Sequence, residues 1–294
     1  MLILAFEECY PAAARLAQQL CLEVAMIELH RFPDGEIKIR LPLPLPPHTV
    51  IFSSLQQPNE KLIALLFASR TAREQQVREL TLIAPYLCYM RQDRAFNDGE
   101  AISQLHIGRL LAELFDRVVT VDPHLHRVDT LASVLPAKQV INLSAAPLIG
   151  QFLKHRFAKP LILGPDAESR QWVAQVAHAI DADTAVCDKI RHGDTRVTVT
   201  LPALDINGRE VVLVDDIIST GGTLARVTEK LLAAGALSVS CFATHALISP
   251  ADTARLQSCG IQHIWSTDSV PHPSNVVALA PLLGDALTQA TTTP

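Results

Sequence analysis

The chain has no GxxxxGK[ST] segment and no GxGxxG, which removes the Walker-type phosphate loop and the usual dinucleotide fingerprint. No apolar run approaches the roughly 18 residues of a membrane span, so no membrane partner is expected. There is no block of Lys or Arg, and the formal net charge is −5. The electrostatic footprint that nucleic-acid binding needs is therefore missing. The six cysteines (Cys9, Cys21, Cys88, Cys187, Cys241 and Cys259) form no CxxC pair and no metal-like spacing. Most lie in apolar segments and read as reduced core thiols. Met1–Glu8 is strand-like and acidic, wrong for a signal or transit peptide, and the cytoplasm is the expected compartment.

What is present is enough apolar sequence for two cores: 294 residues, 49% of them hydrophobic. Two stretches share one order of elements. Thr49–Ser54 reads as an apolar strand, Leu55–Glu60 as a loop, Lys61–Gln76 as a helix and Glu79–Tyr86 as the next strand. Glu210–Val214, Asp215–Gly222, Thr223–Ala234 and Leu237–His245 repeat that order. Buried strands without polar alternation, joined by helices, predict a mainly parallel sheet with crossover helices. The expected fold is α/β, two similar domains covering 1–145 and 146–289, with 290–294 a disordered tail. Only the second domain carries an acid pair and a Gly-Gly at its strand end, so the duplication is asymmetric in function.

Val211–Thr223 is the most informative segment. An apolar strand delivers Asp215 and Asp216 at its carboxyl end, where open α/β sheets bind ligands. Ser219, Thr220 and Thr223 offer hydroxyls, Gly221 and Gly222 let backbone N–H groups converge, and the following helix adds its positive end. This is a cradle for a phosphomonoester beside two acids suited to a sugar diol or a hydrated divalent cation. The segment resembles the phosphoribosyl-diphosphate loop of type I phosphoribosyltransferases and of the ribose-phosphate diphosphokinases (PRPP synthases).

Other segments separate those two families. Arg31-Phe32-Pro-Asp34-Gly35-Glu36 resembles the nucleotide-contacting RFxDGE motif of the synthases, and Tyr89-Met-Arg91-Gln92-Asp-Arg94 their YxRQDR motif. His124 stands where that family has a metal-binding histidine, Asp166 where it has an aspartate, and Lys189-Ile-Arg191 matches its catalytic Lys-x-Arg. Taken alone, Asp34-Gly35 is equally a β-bend, and Arg91, Gln92 and Arg94 equally a solvated loop. Lys189 and Arg191 alone would pass for a solvated basic loop; opposite a nucleotide they have the makings of a lid. The resemblance spans nearly the whole chain. The absence of Gly-Gly after Asp166 and Ser219 in place of an acid make it most like the archaeal-type branch.

The resemblance implies two type I phosphoribosyltransferase-like domains with the active site between them, ATP and ribose 5-phosphate as substrates, and Mg²⁺ as cofactor. It implies ATP contacts from Phe32, Asp34, Gly35, Glu36, Arg91, Gln92 and Arg94. Ribose 5-phosphate falls to Arg191, Asp215, Asp216 and Ser219 through Thr223, metal binding to His124 and Asp166, catalysis to Lys189 and Arg191. It also implies a homodimer or larger homo-oligomer, with Phe32 completing a neighbour's nucleotide site. A phosphoribosyltransferase acting on a base, and a silent relative that regulates an active synthase, are the competing readings.

Overall fold

Strands buried on both faces need helices above and below, and the chain supplies them twice. The computed structural model describes residues 1–125, 127, 128, 130–192 and 196–292, with backbone alone over 189–192, 196–198 and 290–292. The first unit runs β1 (Leu2–Ala5), α1 (Tyr10–Leu20), β2 (Glu23–Met26), the antiparallel hairpin β3 (Glu28–Arg31) and β4 (Ile37–Arg40), then β5 (His48–Phe52). It continues with α2 (Pro58–Glu74), β6 (Glu79–Ala84), α3 (Ser103–Leu114), β7 (Arg117–Val121) and β8 (Gln139–Leu143). Its sheet has the order β2-β1-β5-β6-β7-β8, with every pair parallel.

The second unit opens with α4 (Ala146–Lys154) and repeats the pattern: β9 (Leu161–Gly164), α5 (Arg170–Ile180), β10 (Asp183–Val186), then the hairpin β11 (Asp188–His192) and β12 (Arg196–Thr200). After it come β13 (Glu210–Ile218), α6 (Gly222–Ala233), β14 (Ser238–Ala246), α7 (Pro250–Ser258), β15 (Ile261–Thr267) and β16 (Asn275–Val277). The sheet order β10-β9-β13-β14-β15-β16 is the first unit's order over again, and again parallel throughout. The backbone links repeat too: Ile27 N–H donates to Ala5 O at 2.8 Å, and Cys187 N–H to Gly164 O at 2.9 Å. Val212, Leu213, Val239 and Cys241 on the central strands are fully buried.

The domain division needs one correction. The units meet at Leu143/Ser144, close to the expected 145/146, but Ser269–Pro271 and the segment from Ala278 onward belong to the first unit. That segment forms α8 (Ala280–Thr292), so residues 290–292 are helical where a disordered tail was expected. The cause is burial. Leu283 and Leu287 are 1% and 2% exposed, and Gly284 lies against Leu16, Gln19 and Leu20 of α1. Helix α4 packs on α5 in the second unit as α8 does on α1 in the first; α4 opens its own unit in sequence, whereas α8 returns to the first unit after the second.

Local expectations shift in two more places. Helix α2 begins at Pro58 rather than Lys61, with proline in the first helical position, where its missing N–H costs nothing. Strands β2, β8, β15 and β16 have no counterpart in the sequence reading. β2, β8 and β16 are short with no buried residue, so their apolar signal is weak, whereas β15 buries Ile261, Ser266 and Thr267.

Candidate active site

β13 lies between β9 and β14, and its pairing with β14 continues through Ile217–His245 and Ile218–Ala246. Asp215 and Asp216 are therefore strand residues, not the loop residues expected, because the buried Ile217 and Ile218 behind them keep the ladder going. The acids are held by backbone rather than by a flexible turn. Asp215 Oδ1 accepts from the Asp216 N–H at 3.0 Å, and Asp216 Oδ1 from the Ile217 N–H at 2.8 Å.

Asp166 follows β9, the neighbouring strand, and its Oδ1 caps the turn Ala167–Ser169 by accepting from the Glu168 N–H at 3.1 Å. A side chain at Gly164 would meet Ser169 Oγ at 2.2 Å, so that close turn needs the glycine. Two adjacent strand ends thus deliver three carboxyl groups. Burial, then the charge of Asp216, then that of Asp166 push the Asp215 carboxyl well above the ordinary range.

The loop that follows is short: Ser219, Thr220 and Gly221, with α6 starting at Gly222. Gly221 takes φ +68° as the N-cap, and a Cβ there would come within 2.8 Å of Leu256 Cδ1. A larger residue would therefore disturb packing on α7 as well as the loop. The sequence reading missed Arg255 on α7. Its guanidinium donates to Thr220 O and, at 3.0 Å, to Asp252 Oδ1, which fixes a loop carbonyl and brings a cation beside the cradle. Nothing local signals this, since 35 residues separate Arg255 from Thr220.

Lys189 and Arg191 stand on β11, paired with Val199 and Val197 of β12. The basic loop expected at Lys189 and Arg191 is, where described, a pair of antiparallel strands, and the two side chains lie outside the described residues.

In the first unit, Phe32 to Glu36 turn between β3 and β4. The Phe32 N–H donates to Glu36 O at 2.8 Å and the Gly35 N–H to Phe32 O at 3.0 Å, with Gly35 at φ +91°. Asp34 Oδ1 accepts from the Glu36 N–H at 3.1 Å, so Asp34 and Gly35 do serve as bend residues. Phe32 is 40% exposed at the tip, edge-on to His30 at 4.7 Å.

The Arg91 segment leaves β6 through a buried run, and His124 follows the neighbouring β7. Gln104 pins the segment, its Nε2 donating to Met90 O and its N–H to Gln92 O, both at 3.3 Å. Gln92 Nε2 donates to Arg94 O at 3.1 Å, and the Arg94 guanidinium lies 4.5 Å over the Phe96 ring. Arg127 binds both Asp93 oxygens, at 2.8 and 2.9 Å, an anchor the sequence did not reveal. His124 belongs to the first unit and Asp166 to the second, so neither unit alone carries the expected metal pair. His126, unassigned from sequence, lies outside the described residues. The first unit also holds a cavity of about 660 Å³ between the base of the β3–β4 hairpin and the start of α2.

A duplicated parallel α/β unit, one copy of which carries an acid pair near the carboxyl end of its central strand, followed by a three-residue loop and a helix N-terminus, defines a protein of the phosphoribosyltransferase class. Comparison with known proteins agrees. Residues 1–116 match the N-terminal domain of ribose phosphate pyrophosphokinase, and residues 133–274 match the phosphoribosyl transferase domain. The ribose-phosphate pyrophosphokinase of Methanopyrus kandleri is 36% identical over 291 residues, 98% of both chains. Ribose-phosphate pyrophosphokinase 2 of Archaeoglobus fulgidus is 33% identical, over 93% of this chain and 95% of its own. The crystal structure of phosphoribosylpyrophosphate synthetase from Mycobacterium smegmatis superposes with a TM-score of 0.86 at 24% identity, covering 99% of this chain and 98% of the other. The chain belongs to the ribose-phosphate pyrophosphokinase family, with archaeal members among its nearest relatives.

Proposed function

We propose that this chain transfers the diphosphoryl group of ATP to the 1-hydroxyl of D-ribose 5-phosphate, giving 5-phospho-α-D-ribose 1-diphosphate and AMP. One observation carries the reading: Asp215 and Asp216 lie near the carboxyl end of a central parallel strand, with only Ser219 and Thr220 between that strand and the Gly221 cap of α6. That arrangement suits a ribose whose 5-phosphate takes the backbone N–H groups of Ser219 to Thr223 and whose hydroxyls donate to the acids. Arg255 supports the loop from behind.

Phe32 offers its exposed face to adenine, Asp34 and Glu36 accept from the amino group, and Gly35 permits the bend between them. Arg91, Gln92 and Arg94 take phosphate oxygens. The ribose O1 attacks the β-phosphorus, the bond from that phosphorus to the α–β bridging oxygen breaks, AMP leaves with that oxygen, and the hydroxyl proton goes to solvent. Lys189 and Arg191 neutralise the charge that grows on the moving group, so positioning and electrostatics carry the acceleration.

Mg²⁺ fits the donor set. Asp166, Asp215 and Asp216 are hard oxygen donors, and the Asp215 carboxyl is raised by burial first and then by the charges of the other two. His124 and Asp166 are the residues that would hold Mg²⁺, and bound there it would neutralise polyphosphate charge. Among the described residues no three His, Cys, Asp or Glu side chains form a ready-made cage. A cation held largely through phosphates and waters does not require one.

We place the protein in the cytoplasm as a homodimer or larger. Its net charge of −5 offers nothing to nucleic acid, and among the described residues no helix is long and apolar enough to cross a membrane. The decisive assay is AMP formation from ATP, ribose 5-phosphate and Mg²⁺. Activity only with a purine or pyrimidine base and phosphoribosyl diphosphate would replace the reading with a base transferase, and no turnover in either assay would leave a silent relative.

A further inference from the structure

The hairpin that carries Phe32 is not part of the six-stranded sheet. Along β3 only Leu29 is better than exposed, and the cavity of about 660 Å³ sits against the hairpin base, lined by Met26, Leu29, Arg31, Glu60 and Lys61 among others. Close packing fixes an element only where atoms touch, and on this side of the hairpin they do not. β4 touches α2 elsewhere, leaving the β3 side to be held by something polar.

That link is present. Arg31 Nε donates to both carboxylate oxygens of Glu60 at 3.0 Å, and a terminal nitrogen donates to Oε1 at 2.5 Å. This is the two-pronged arginine–carboxylate geometry that fixes orientation as well as distance. Each end is itself held. Arg31 directly precedes Phe32, and Glu60 is the third residue of α2. The next residue, Lys61, ties the helix start to Glu8 at 2.5 Å and to Ser54 O at 2.8 Å.

The internal duplication shows what is special here. Ile27 and Cys187 make the same backbone bond to the end of the first strand, and four residues beyond them stand Arg31 and Arg191. The third residue of α6, at the place of Glu60, is Leu224, buried and without charge. One arginine of the pair is offered an acid on the following helix; at the other's place there is none.

We propose that Arg31 and Glu60 form a positioning clamp that sets the Phe32–Glu36 arm at the angle nucleotide binding requires. The inference rests on the reading that this arm binds ATP. The test is a double-variant cycle with Arg31→Gln, Glu60→Gln and both together, with Phe32→Ala measured alongside. Each clamp variant raises KM for ATP about three- to fivefold, the scale of an exposed ion pair, while KM for ribose 5-phosphate and kcat stay within twofold. Because both changes break one link, the double variant is no worse than the worse single one. Single effects that multiply in the double variant would overturn the clamp, showing that Arg31 and Glu60 act separately. So would an unchanged KM for ATP in Glu60→Gln while Phe32→Ala raises it. An unchanged KM in Phe32→Ala would instead sink the reading of the arm itself, and the clamp with it.

Discussion

Asp215 is the residue at which stability and function conflict. Its carboxyl is raised by burial and by the charges of Asp216 and Asp166. A carboxyl raised on folding contributes stability that is complete below its unfolded value, near 3.8, and is lost as pH climbs through the folded value. At neutral pH, without cation or substrate, the folded protein therefore carries a cost. Asp215→Asn should raise stability at pH 7 by roughly 1–2 kcal/mol, the usual yield of relieving a strained functional site, and weaken ribose 5-phosphate binding. The gain should shrink towards zero as pH falls to about 4. Calorimetry at the two pH values checks it, and an equal gain at both would mean that charge is not the cause.

Lys189 makes its claim through the transition state instead. Loss of one preorganised donor typically costs ~10²–10³-fold in rate. Lys189→Ala is expected to lower kcat by that factor with little change in the binding of ribose 5-phosphate, measured by initial rates and by calorimetric titration. Near-normal turnover would remove Lys189 from the chemistry.

Among the elements, α8 has the least predictable place. Its apolar residues Leu283 and Leu287 are buried, and they cover the first unit although the second unit precedes them in sequence. Leu283→Ala should destabilise by about 2–5 kcal/mol, as for a buried leucine elsewhere. Urea unfolding followed by probes in each unit would locate the loss in the first unit; a loss confined to the second would contradict the packing. The helix N-caps record the duplication in a different way. Gly221 before α6 and Gln57 before α2 share the left-handed conformation, at φ +68° and +50°. The left-handed cap thus recurs in the first unit, where Ser53 and Ser54 stand in place of the acid pair and the helix begins two residues sooner after it.

At the scale of the whole molecule, the exposed Phe32 on its hairpin tip motivates a shared nucleotide site. A large aromatic left 40% exposed is better covered by a base and a neighbouring subunit than by water. Mixing an inactive Phe32→Ala/Asp34→Ala protein with an inactive Asp215→Ala protein should restore part of the activity, because one site of a mixed dimer combines an intact arm with an intact loop. Absence of recovery after verified subunit exchange would defeat the idea, as would a monomer fully active at assay concentration.

The sequence alone determined the two parallel α/β units, the phosphate loop and the families to weigh, because those signals are local. Val211 to Thr223 carries strand, acids, hydroxyls, glycines and helix start in thirteen consecutive residues, and Phe32 to Glu36 is a bend whose residues specify it. Tertiary structure alone decided that β13 runs on past its acids, that Arg255 braces the loop, that Arg31 meets Glu60 and that α8 returns to the first unit. Each of these depends on a partner distant in the chain: a neighbouring strand that continues the ladder, a carbonyl 35 residues away, a carboxylate 29 residues away, a helix at the opposite terminus. Propensity and periodicity read a residue against its neighbours in sequence, whereas these contacts exist only once burial has brought remote segments together.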